Sequence, residues 1–157
     1  PLLLELRGSA LVRKLDEPGR RRLQGLLPLL MADIAASDAQ LVVLRRVLRI
    51  IEATGKRSVY FALLHESAAA RRRVIELCGR GEFLAREIAA HPMLLAQLIG
   101  ERTEPPSRAS LAQDLQLVMQ QLSDEDPERQ VEALCHFQQV AFFRIAAGDL
   151  AVRLAVR

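Results

Sequence analysis

Apolar residues recur along this chain at spacings of three and four, the signature of one face of an α-helix. The first such pattern covers residues 2 to 15 and is weakened by Gly8. A second helix starts at Pro18, with Asp16 and Glu17 ahead of it, and runs to about Ala36; Pro28 should kink or divide it because proline lacks an N–H. Ser37-Asp38 reads as an N-cap pair for a helix striped by Leu41, Leu44, Leu48 and Ile51, with Arg45, Arg49 and Glu52 opposite. Gly55 ends that pattern, and Ser58 to His65 forms a short helix carrying Tyr60, Phe61, Leu63 and Leu64. Ser67 caps a helix over Ala68 to Cys78 whose apolar side is Val74, Ile75, Leu77 and Cys78, with Gly79 and Gly81 bracketing its stop.

Phe83, Leu84 and Ile88 lie on a further short helix, and Pro92 opens another with Met93, Leu94, Leu95, Leu98 and Ile99. Gly100 to Pro106 is the clearest internal loop. Ser107 or Ser110 caps a helix bearing Leu111, Leu115, Val118, Met119 and Leu122. After a break at Ser123 to Asp126, Pro127 starts a long helix reaching Leu150. Its apolar residues exceed one stripe, which predicts burial on more than one side. No period-two alternation and no Asn-Gly or Asp-Gly turn marks a strand, and no fixed-period repeat is present. The fold class is therefore all-α, an irregular bundle of about eight to nine helices. Its expected organisation is a helical connector over residues 1–37, a helical block over 38–100, and C-terminal helices over 107–157 leading toward a catalytic domain outside this chain.

Composition adds two constraints. Half of the 157 residues are hydrophobic but only 4% are aromatic, with no Trp, so the core must come from Leu, Ile, Val and Ala. The 22 Lys+Arg residues, of which only Lys14 and Lys56 are lysine, exceed 19 Asp+Glu by three. Arginine suits phosphate or carboxylate recognition, and a GC-rich genome supplies the same bias. A charge of +3 does not mark a dedicated nucleic-acid binder. Cys78 and Cys135 form no Cys-x-x-Cys pair, and each falls among apolar residues as a small hydrophobe. No apolar run spans a membrane, and the cytoplasm is the expected compartment. The chain opens on Pro1 and stops inside a pattern at Arg157, as a piece cut from a longer protein would.

Candidate chemistry is sparse. Gly55-Lys56 lacks both the earlier Gly and the following Ser or Thr of a P-loop, since Ile50 and Arg57 stand there. Gly8-Ser9 with Asp16 superficially matches a nucleotidyltransferase motif, but Pro18 replaces the second carboxylate that would hold a metal ion. Asp124-Glu125-Asp126 could hold Mg²⁺, but before Pro127 it reads as a helix N-terminus favoured by free N–H groups. His65, His91 and His136 are isolated. Catalytic, cofactor-binding and metal-binding residues are accordingly none. Three basic clusters remain: Arg20 to Arg22; Arg45, Arg46 and Arg49; and Arg71, Arg72 and Arg73. The last two sets are the candidate protein-contact surface, against the alternative of solvated faces or internal ion pairs.

The run Leu44-Arg45-Arg46-Val47-Leu48-Arg49-Ile50-Ile51-Glu52-Ala53-Thr54-Gly55-Lys56-Arg57-Ser58-Val59-Tyr60-Phe61-Ala62-Leu63-Leu64-His65-Glu66 resembles a block of the glutamine synthetase adenylyltransferase family. Arg73 to Cys78, Phe83-Leu84-Ala85, Ile88 to Leu95, Pro105-Pro106 with Leu111 to Leu115, and Phe137 to Leu150 resemble its following blocks in order. Gln138 stands where lysine is usual, and Gln97 near a usual acidic residue. The resemblance covers roughly residues 40 to 152. It implies a parent enzyme with two nucleotidyltransferase units, using ATP and Mg²⁺ to adenylylate and deadenylylate glutamine synthetase under PII and glutamine control. This chain would be its helical, non-catalytic connector and shoulder, packed against flanking catalytic domains, with glutamine synthetase and PII as partners. A stand-alone helical interaction module is the alternative. Nucleic acid and membrane are not expected partners.

Overall fold

The computed structural model describes residues 2–55, 57–99, 104–122 and 126–155, without side chains from 150 onward. Among the described residues there are nine α-helices, one 3-10 helix and no strand. The all-α expectation holds. The chain divides into two compact units, 1–100 and 101–157.

The first unit begins with α1 (Leu2–Gly8) and α2 (Ala10–Lys14), two pieces where the sequence suggested one helix. Ser9 makes the break: it is extended, and its hydroxyl accepts from the Val12 N–H as an N-cap. α3 (Glu17–Ala35) is capped by Asp16, whose carboxylate accepts from the Gly19 N–H at 2.8 Å. Pro28 does not divide α3. It is exposed, as is Gln24 one turn back, so the carbonyl deprived of a donor faces water. Leu23, Leu26, Leu30 and Ile34 bury the other side on both flanks of the proline.

α4 (Gln40–Thr54) has no side-chain cap; Ser37 donates back to the Ile34 carbonyl and closes α3 instead. The buried face of α4 is Val43, Val47, Ile50, Ile51 and Thr54, joined by Leu48, while Leu41 is 72% exposed. The stripe expected at Leu41, Leu44, Leu48 and Ile51 is thus rotated, because α6 and α7 meet the helix on the Val43–Val47 side. Gly55, at φ +59, ends α4 in a conformation that disfavours a side chain. α5 (Val59–Glu66), α6 (Ala68–Arg80), α7 (Glu82–Ala90) and the 3-10 helix Pro92–Leu98 complete the unit. Ser67 caps α6 through the Ala70 N–H at 3.1 Å. α4 and α6 are central, and Leu26, Leu30, Ile50, Ile51, Phe61, Leu64, Ile88, Leu94 and Leu95 are all 1% exposed or less. Each such side chain contributes about 1.5–3 kcal/mol by leaving water.

The second unit is a pair of helices, α8 (Arg108–Gln120) and α9 (Pro127–Ala155). Ser107 caps α8, and Asp126 accepts from the Arg129 N–H to cap α9. Arg144 pairs with Asp114 at 2.7 Å and ties the helices. Among its described side chains, α9 does not bury several sides: Phe143 and Ala147 are buried, whereas Val131, Leu134 and Ile145 are exposed. The apolar excess read from sequence therefore marks surface as well as core.

Candidate functional site

The sequence-flagged arginines separate into inward and outward sets. On α4, Arg46 donates from Nε to Glu82 at 2.9 Å and from Nη1 to the Cys78 carbonyl. The second bond satisfies a carbonyl in the last turn of α6, where cations are favoured. Arg49 also pairs with Glu82, the first residue of α7. Two guanidinium groups thus converge on one carboxylate. Hydrogen bonds from Arg49, then from Arg46, hold Glu82 below the usual carboxylate range.

Arg71 lies deeper. Its residue is 7% exposed; Nε donates to Asp33 of α3 at 2.6 Å, and Nη1 to the Leu64 and His65 carbonyls at 2.8 and 3.3 Å. One side chain therefore joins α3, the C-terminal turn of α5 and α6. Arg71 is not part of an exposed surface. It sits on the face of Val74, Ile75 and Cys78, at spacings of three, four and seven, and that phase was readable in sequence. Arg72, about 100° further round the helix, is exposed, and Arg73 is half-buried. Arg45 is exposed and lines a hollow of about 150 Å³ with Leu2, Glu5, Leu48, Arg49 and Glu52.

The other candidates also receive structural places. Arg21 pairs with Glu17 on the surface, Arg22 donates to the Ser58 hydroxyl, and Arg20 Nε donates to the Leu15 carbonyl. Ser9 and Asp16, from the rejected nucleotide motif, are helix caps. Asp126 is a cap as well; Lys56, Asp124 and Glu125 lie outside the described residues. Among the described residues, no three His, Cys, Asp or Glu side chains converge on a metal-sized site. Asp33 and Glu82, the acidic partners of the arginines, were missed in the sequence because each lies more than thirty residues from its partner. Cys78 is buried, and loss of solvation pushes its thiol up to about 12; Cys135 is exposed. No described helix is long and apolar enough to cross a membrane.

These features define an all-α segment in which several buried or half-buried arginines bind its own helices to one another. A family model for glutamate-ammonia ligase adenylyltransferase matches residues 71–157. The bifunctional glutamine synthetase adenylyltransferase/adenylyl-removing enzyme of Pseudomonas putida is 36% identical over 154 residues, covering 97% of this chain and 16% of the relative. The corresponding protein of Pseudomonas aeruginosa is 36% identical over 151 residues (95% and 15%), and that of Pasteurella multocida 32% over 156 (98% and 16%). The chain belongs to the glutamate-ammonia ligase adenylyltransferase family. It spans about a sixth of the length of these relatives.

Proposed function

We propose that this chain is a helical, non-catalytic part of a bifunctional nucleotidyltransferase that adenylylates and deadenylylates glutamine synthetase. The observation that carries the reading is how the acidic side chains are used. Asp16 and Asp126 cap helices, while Asp33, Glu82 and Asp114 neutralise arginines that bridge helices. These five carboxylates are committed to the fold and do not suit the role of holding Mg²⁺ against ATP, which needs paired acids free to ligate. ATP and Mg²⁺ accordingly belong to flanking catalytic domains of the whole enzyme, and no chemical step is assigned to this segment.

Its work is mechanical: a preassembled bundle that supports those domains in the cytoplasm and offers Arg45 and Arg72 to glutamine synthetase or a PII protein. In the full-length enzyme, Arg45→Glu with Arg72→Glu should change the response to PII and glutamine by severalfold while leaving unregulated AMP transfer within about twofold. Equal loss of both, with the helical signal intact, would refute the contact role. The non-catalytic assignment is tested on this chain alone, incubated with glutamine synthetase and labelled ATP. Labelled glutamine synthetase would overturn it.

A further inference from the structure

A trough runs between α1–α2 and α3, with a volume of about 450 Å³. Its lining is Leu3, Leu6, Val12, Leu23 and Leu27, with Arg7, Arg20 and Gln24 supplying the polar groups. The α3 wall places Arg20, Leu23, Gln24 and Leu27 at spacings of three, four and seven, so it is one continuous helical stripe. The α1 wall repeats the pattern with Leu3, Leu6 and Arg7. Arg20 to Leu27 extends about 10 Å at ~1.5 Å per residue, close to two helical turns. Leu6 and Leu23 form a buried floor, and Leu3 stands 41% exposed at the wall.

The charge of the trough is one-sided. Among the described residues, no acidic side chain lines it. The carboxylates nearest in sequence lie or are engaged elsewhere: Glu5 lines the hollow beside Arg45, Asp16 caps α3, and Glu17 pairs with Arg21. Arg7 makes no hydrogen bond or ion pair among the described residues, and Arg20 commits only Nε, to the Leu15 carbonyl. Both guanidinium groups thus keep their outer N–H donors for a carboxylate. Two ridges with an apolar floor are the geometry in which a third helix seats its apolar edge. Cationic walls select acidic flanks on that helix.

The geometry points to this trough as a docking site for an acidic amphipathic helix of a partner protein, its leucine-type side chains on Leu6 and Leu23 and its carboxylates on Arg7 and Arg20. This rests on the trough alone and is independent of the adenylyltransferase reading. The test is fluorescence anisotropy on this chain with a labelled 15-residue helical peptide, carrying leucines on one face and glutamates on its flanks. A counterpart with lysines for the glutamates serves as the comparison. The glutamate peptide should bind about tenfold or more tightly than the lysine peptide, and added salt should weaken it. Arg7→Glu should abolish the preference without unfolding the chain, because Arg7 makes no hydrogen bond or ion pair among the described residues, and Leu3→Asp should weaken binding independently. Absence of binding, equal binding of the two peptides, or indifference to Arg7→Glu would overturn the proposal. So would decanoate binding where the peptide does not bind, which would mark a site for a small amphipathic anion. Self-association abolished by Arg7→Glu would assign the trough to a second copy and overturn it equally.

Discussion

Arg71 and Arg72 are chemically identical neighbours, and the structure gives them opposite importance. Replacing Arg71 by alanine removes three hydrogen bonds, one to Asp33 and two to the Leu64 and His65 carbonyls. The Leu64 bond is fully buried, so its carbonyl loses its donor at a cost of about 1–3 kcal/mol. Asp33, at 23% side-chain exposure, regains some water, which limits the penalty for its unpaired charge to roughly 1 kcal/mol. The arginine stem contributes roughly another 1 kcal/mol of packing. Together these give about 3–5 kcal/mol, the range for breaking one side of a buried pair. Against a usual domain stability of about 5–15 kcal/mol, the loss is severe. Arg72→Ala should stay within about 0.5 kcal/mol. Urea unfolding followed by circular dichroism at 222 nm measures both. Adding Asp33→Ala to Arg71→Ala should cost less than the two single changes summed, since the second substitution removes the stranded charge. If Arg71→Ala is no worse than Arg72→Ala, the assignment of Arg71 as the clasp of α3, α5 and α6 is wrong.

Gly148→Ala should destabilise the second unit by about 1–3 kcal/mol. An added Cβ would meet the Pro105 N and Cα at 2.5 and 2.6 Å, backbone atoms that cannot swing aside; faster proteolysis near Pro105 would register the displacement. Of the two thiols, Cys135 should react at once with a disulfide reagent at pH 8, and Cys78 only on unfolding. Two equally fast thiols would contradict the packing of α6. Because the folded Cys78 thiol is raised to about 12 from 9.0, the unfolded chain loses its proton first. Its contribution is complete below pH ~9 and falls by about 1.4 kcal/mol per unit above it, so Cys78→Ala should flatten that alkaline decline. Glu82 behaves oppositely: its lowered pKa contributes stability near neutral pH that is lost as pH falls through the folded value. Glu82→Gln should remove that part of the acid sensitivity, as equilibrium unfolding between neutral and acidic pH would show.

Much of this architecture was legible in sequence because helix boundaries are local. Asp16, Ser67 and Ser107 each accept from an N–H three residues on, and Gly55 takes a positive φ where the pattern stops. What was not legible depends on which neighbour a face meets. α4 carries apolar side chains at 41–44, 47, 48, 50 and 51, more than half its circumference. Periodicity identifies such a helix but does not choose its inner side; α6 and α7 choose it, burying Val43 and leaving Leu41 in water. Pro28 leaves α3 undivided for a related reason. Its cost depends on where the orphaned carbonyl points, and here both Gln24 and Pro28 lie on the exposed side.

The arginine clusters carry the same lesson into function. A run of arginines leaves contact surface, solvated face and internal ion pair all open, because a helix spreads adjacent residues over separate directions. In the Arg71 to Arg73 run, only the residue in phase with Val74, Ile75 and Cys78 was drawn inside, where three oxygen acceptors received its fork. Arg46 was drawn in the same way toward Cys78 and Glu82. Removing these two from the candidate surface sharpens the remainder. Arg45 and Arg72 are exposed and Arg7 is unpaired among the described residues, so charge reversal there changes what the molecule can meet and leaves what holds it together untouched. A regulatory or docking phenotype at those positions would therefore report on recognition, whereas the same phenotype at Arg46 or Arg71 would report on folding.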